Sequence, residues 1–138
     1  LNILFSYKKG LFLYTPIYLI SMLGLVFLFK KSRFRAIAWF LPFLAITYVF
    51  SSWWSWYYGG SFSSRVFIEF IPFFMILLAI AVESMETKWK RATYISTIVL
   101  LVLVCQVQTY QYRYNVIHWS EMTLEKYWDV FLRIDKAK

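Results

Sequence analysis

The segment Ser51–Pro72, SSWWSWYYGGSFSSRVFIEFIP, holds the residues whose types and spacing could do chemistry. Ser61, Ser63 and Ser64 surround Arg65 just before an apolar run that reads as a helix. A helix start exposes unpaired amides and a partial positive charge. Hydroxyls and a guanidinium placed there suit an anion, with phosphate the natural guest. The plainer alternative is that Ser63 or Ser64 caps the helix while Arg65 reaches lipid headgroups.

Glu69 is the sharpest single residue, because a carboxylate inside an apolar run is costly in a bilayer and usually meets a partner or a cavity. Arg65 precedes it by four positions, which on an α-helix puts both on one face and predicts an Arg65–Glu69 pair. That pair either serves structure alone, letting both residues enter the membrane edge, or lets Glu69 orient Arg65 toward a ligand. A general base is a poorer role for Glu69, since the neighbouring arginine holds the carboxylate ionised.

Aromatic residues fill five of the six positions from 53 to 58: Trp53, Trp54, Trp56, Tyr57 and Tyr58. An interfacial belt accounts for them, since Trp and Tyr gather where one end of the ring is apolar and the other wet. Flat faces that stack on a sugar ring or cap an isoprenoid chain account for them too. Gly59 and Gly60 then permit a sharp turn closed to other residues. His118 is the only histidine, and a lone histidine near an interface is commonly just hydrogen-bonded. No His/Asp/Glu spacing of a metal site and no Gly-rich nucleotide loop occurs, so no cofactor is implied. Gln106, Gln108 and Gln111 either line a polar cavity or mark an ordinary interfacial exit.

These residues require a membrane scaffold. Of 138 residues, 61% are hydrophobic, above the roughly 45–50% of soluble domains, and they fall in runs matching a crossing of about 17–25 residues. The expected fold is an all-α polytopic helical membrane protein with about four transmembrane helices and a C-terminal amphipathic helix. Spans are expected at about 11–29, 36–52, 66–82 and 92–107, within a transmembrane bundle covering 1–110. Pro16 lies one turn into the first span, where it does least damage, and Pro42 is expected to kink the second. In the tail, 111–138, Trp119, Met122, Tyr127, Phe131 and Ile134 recur at helical spacing, with Trp128 and Val130 widening the apolar face. Glu121, Glu125, Lys126, Asp129 and Arg133 fall mostly elsewhere. Such a helix lies on the membrane surface or packs on the spans.

The formal charge is +8. In a soluble domain that would suggest nucleic acid, but here the cations sit in short loops between apolar runs, and no nucleic-acid partner is expected. Loops 30–35 and 83–91 hold seven Lys and Arg residues, whereas 51–65 holds Arg65 alone. The positive-inside rule puts the first two loops in the cytoplasm and the aromatic loop and the tail outside. Lys8 and Lys9 run against that assignment. Cys105, the single cysteine, allows no intrachain disulfide. The chain opens on Leu1 without a signal sequence, so it is expected to be a piece of a longer polypeptide whose missing N-terminal helices pack against it.

Two segments are similar to a known family. YKKGLFLYTP (Tyr7–Pro16) resembles the basic-Gly-Leu-Phe-x-Tyr-x-Pro segment late in bacterial polytopic glycosyltransferases of the GT-C superfamily, those like dolichyl-phosphate-mannose–protein mannosyltransferases. WWSWYYGGSFSSRVFIEFIPF (Trp53–Phe73) resembles their aromatic-Gly-Gly-x-Ser-x-x-x-Arg segment. The resemblance implies transfer of a sugar from a polyprenyl-phosphate carrier to an acceptor on the outer face of the bacterial inner membrane. It implies that Arg65, Ser63 and Ser64 meet the carrier phosphate, that Glu69 holds Arg65, and that Trp53, Trp54, Trp56 and Tyr57 position lipid or sugar. No position matches the family's catalytic acid, so a C-terminal portion without catalytic residues of its own is expected. The expected partners are membrane lipids and the lipid-linked sugar. The alternative is a non-enzymatic module of a lipid-carrier transporter or assembly complex.

Overall fold

Prolines and small residues decide where the helices break and where they touch. The computed structural model describes residues 2–55, 59–118 and 121–133, and every regular element among them is helical. Two short turns, α1 (Asn2–Phe5) and α2 (Leu11–Tyr14), precede α3 (Pro16–Lys31). After Ser32 comes α4 (Arg33–Ser51). A 3₁₀ stretch, Arg65–Phe70, runs into α5 (Ile71–Glu83), succeeded by α6 (Lys88–Arg113) and the short α7 (Leu124–Val130).

Three helical segments are long and apolar enough to cross a membrane: Arg33–Ser51, Arg65–Glu83 and Lys88–Arg113. Only 11% of the apolar window is buried in the first and the last, so most of their side chains are left for lipid or for further helices. Side chains such as Phe34, Leu41, Val49, Leu100 and Leu103 stand outward.

The expected first span, 11–29, is not one helix. The residue before a proline is pushed out of the α region, and Thr15 takes φ −135° and ψ 67° before Pro16. Beyond this break α3 has 16 residues, about 24 Å at 1.5 Å per residue, against a hydrocarbon core of about 30 Å. The second helix starts three residues earlier than expected because Ser32 caps it, its Oγ accepting from Arg35 N at 3.4 Å, and the helix continues through Pro42. At the third, Pro72 has no N–H to give Ile68 O, and the amide of Ile71 bonds that carbonyl instead. The preceding turn is thereby tightened to 3₁₀. The last helix is longer than expected and carries all three glutamines inside it.

α3 packs mainly on α5 and next on α4. A Cβ on Gly24 would lie 1.9 Å from Leu77 O, so only glycine lets the α3 and α5 backbones approach this closely. Ser21, Phe74, Leu77 and Ala81 are fully enclosed around the contact, and Tyr18 stacks on Phe74 with centroids 4.2 Å apart. Tyr94 OH donates to Ile20 O at 2.8 Å, fastening α6 to α3. Lys30, Lys31, Arg35 and Glu83 line one pocket at one end of the bundle. Tyr14, Phe62, Tyr112 and Tyr127 gather at the other.

Candidate functional site

Two interruptions meet at that second end. Thr15, where the chain leaves α2, faces Ser63, and their hydroxyl oxygens lie 3.5 Å apart. Ser63 holds φ 53°, the left-handed region that a serine enters at some cost and that is commonly found where a site imposes it. Between them opens a cleft of about 120 Å³, with room for several waters. Thr15, Ser63, Ser64 and Arg65 give it a polar side, and Tyr18, Phe67 and Ile68 an apolar one.

Arg65 is exposed at the mouth of this cleft. No ion pair joins it to Glu69 among the described residues, so the expected pair is not formed. The cause is the 3₁₀ stretch: at three residues per turn, positions four apart point about 120° from one another, not the roughly 40° of an α-helix. Glu69 is itself exposed, on a different side. Ser64 is buried, its Oγ donating within reach of Lys9 O at 2.6 Å and Ile3 O at 3.1 Å. It makes no capping bond to the helix on its C-terminal side. Its hydroxyl therefore holds the loop to the N-terminal segment, and Ser63 and Ser64 both line the cleft.

Trp53 and Trp54 are exposed, at 58% and 84%, as side chains facing lipid or a ligand would be. Trp56 and Tyr57, with Tyr58, lie outside the described residues.

The residue that sequence reasoning passes over is Lys9. It is enclosed to 1% exposure, and its ammonium donates to Gly59 O and to Ser61 Oγ, the latter at 3.4 Å. Gly59 adopts φ 70° to present that carbonyl. Burial pushes the Lys9 amine down to about 8, with the positive charges of Lys8 and Arg65 acting in the same direction. Its conflict with the positive-inside rule is the available signal: a lysine folded into the protein fixes a loop and does not set topology.

The glutamines serve the tail. Gln108 Nε2 donates to Tyr127 OH at 2.8 Å, and Gln111 Nε2 donates to Val130 O, the last residue of α7, at 2.5 Å and to Arg133 O beyond it at 3.0 Å. Tyr127 and Met122 are buried against Tyr14 and Ile117, so the tail's inner face packs on the spans. Trp119 and Ile134 lie outside the described residues. Half-buried His118 borders a small gap with Ser61 and Ser63.

Comparison with protein-family models, curated proteins and solved structures gives no match. The chemistry of the cleft is a cation and hydroxyls on one wall and apolar surface on the other, at the end of helices that can cross a bilayer. That combination suits an anion attached to an apolar chain.

Proposed function

We propose that this chain is the C-terminal membrane portion of a glycosyltransferase that moves a sugar from a polyprenyl-phosphate carrier to an acceptor on the outer face of the bacterial inner membrane. The observation that carries the proposal is the exposed Arg65 guanidinium at the mouth of a cleft lined by Thr15 and Ser63 on one side and by Phe67 and Ile68 on the other. Arg65 would hold the carrier phosphate through charge-assisted hydrogen bonds, with the Ser63 hydroxyl beside it. The apolar wall would take the first isoprenoid unit. Ser64 and Lys9 keep the loop in place. Trp53 and Trp54, with Trp56 and Tyr57, would flank the lipid or the sugar. In this reading α2 and α3 together complete a fourth crossing, and the aromatic loop and tail face the periplasm. Glu69 then contacts a polar acceptor or a neighbouring helix and does not clamp Arg65.

In the complete protein, Arg65→Ala should lower transfer from a polyprenyl-phosphate sugar at least 100-fold, in line with the loss of a preorganised anion-binding group (about 10²–10³), while membrane insertion stays intact. Normal turnover in that variant would remove Arg65 from the mechanism. Cysteine-accessibility mapping that puts position 61 on the cytosolic side would overturn the orientation.

A further inference from the structure

At the end of the bundle opposite Arg65, the geometry points to a binding site for an anionic phospholipid headgroup carrying two phosphates. Lys30 and Lys31 at the close of α3, Arg35 in the first turn of α4 and Glu83 at the end of α5 line one pocket of about 540 Å³, floored by Phe27 and Ile80. That volume lies within the range of about 300–1,000 Å³ usual for ligand sites. Glu83 makes no ion pair with any of the three cations among the described residues, so three positive charges and one negative converge on a space without neutralising one another. Their formal sum is +2, which matches two phosphodiesters. The pocket sits where α4 begins and α5 ends, two helices long and apolar enough to cross a membrane, and a helix of that kind ends near the lipid headgroups. Basic pockets between membrane helices bind anionic headgroups for these reasons. The occupant is therefore a diphosphatidylglycerol-type lipid of the surrounding bilayer. A soluble anion would leave the apolar floor unused.

The test uses the full chain in neutral detergent micelles doped with diphosphatidylglycerol, phosphatidylglycerol or phosphatidylcholine, read as lipid adducts by native mass spectrometry. Diphosphatidylglycerol should bind more tightly than phosphatidylglycerol at equal total charge, and phosphatidylcholine should not compete. K30Q/K31Q/R35Q should weaken binding tenfold or more, on a per-cation contribution of about 1 kcal/mol, whereas K88Q/K90Q, at the same end but outside the pocket, should change it by less than about threefold. Glu83→Gln should tighten binding roughly fivefold by removing the one opposing charge, a gain that misfolding cannot imitate. Equal losses in the two cation variants, no gain in Glu83→Gln, or equal occupancy by glycerophosphate that lacks acyl chains would each overturn the site.

Discussion

The hydroxyl of Ser64 lies 2.6 Å from the main-chain carbonyl of Lys9, joining positions 55 apart in the sequence. Lys9 in turn donates from its ammonium to Gly59 O. The two bonds run in opposite directions between the same two segments, and together they fix the loop that carries Ser63 and Arg65 against the start of α2. The polar wall of the cleft thus depends on a buried network and not on the helix that begins at Arg65.

Replacing Ser64 by alanine removes the donor and leaves Lys9 O buried without it, which costs about 1–3 kcal/mol. Thermal unfolding of Ser64→Ala in detergent should show that loss. A variant as stable as the parent would mean that the loop is held by other contacts.

Lys9 makes stability depend on pH in a direction opposite to that of a paired lysine. Its amine sits near 8 in the folded chain because burial disfavours the charged form, while an exposed lysine stays near 10.4. Between those values the unfolded chain binds the additional proton, so stability rises with pH, by at most about 1.4 kcal/mol per pH unit. Above about pH 10 the phenol of Tyr127, pushed up to about 12 chiefly by burial, acts the other way, since it stays protonated in the fold while the unfolded chain ionises. The apparent melting temperature should therefore climb between about pH 8 and 10, and Lys9→Met should flatten that climb. A flat profile in the parent chain would show that Lys9 stays charged in the fold.

Much of the scaffold is legible in the sequence because the bilayer allows few solutions. Long apolar runs have to be helices, and the basic loops 30–35 and 83–91 stand apart from the aromatic loop by charge alone. What escapes is set by single backbone events and by long-range contacts. A proline one turn into a span reads as harmless, yet Pro16 turns Thr15 out of the helix and so creates one wall of the cleft. Pro72 reads as lying within a helix, yet it tightens the turn before it and carries Glu69 away from Arg65. The partnership of Gln108 and Gln111 with α7 joins residues 19 apart, and no periodicity reports it. Lys9 alone leaves a trace, as a charge on the wrong side of the count.

Gly24 tests the central packing. Any side chain there must displace Leu77 O, which stands 1.9 Å from the position of a Cβ. Backbone cannot move aside as the far end of a flexible side chain can, so Gly24→Ala must separate α3 from α5. Overpacking of this kind costs about 1–3 kcal/mol and occasionally more. The expected result is a lower melting temperature together with slower cross-linking of a Ser21→Cys/Leu77→Cys pair. Retention of both parental values would show that the helices do not meet at this point.

Gln111 tests how the tail is held. Its side chain is fully enclosed, and its amide nitrogen serves two main-chain carbonyls, Val130 O at the end of α7 at 2.5 Å and Arg133 O just past it at 3.0 Å. A leucine there fills similar space but offers no donor, leaving those carbonyls to find water or to leave the bundle, at about 1–3 kcal/mol. The cost falls on the docked tail alone, because α6 keeps its own main-chain bonds. Limited proteolysis of Gln111→Leu should therefore cut between Asn115 and Thr123 faster than in the parent, with the helical circular dichroism signal nearly unchanged. Tyr127→Phe should do the same to a smaller degree, since it removes only the acceptor for Gln108. Cleavage at the parental rate in both variants would mean that the aromatic contacts of Tyr127 with Tyr14 and Tyr7 hold the tail without the glutamines.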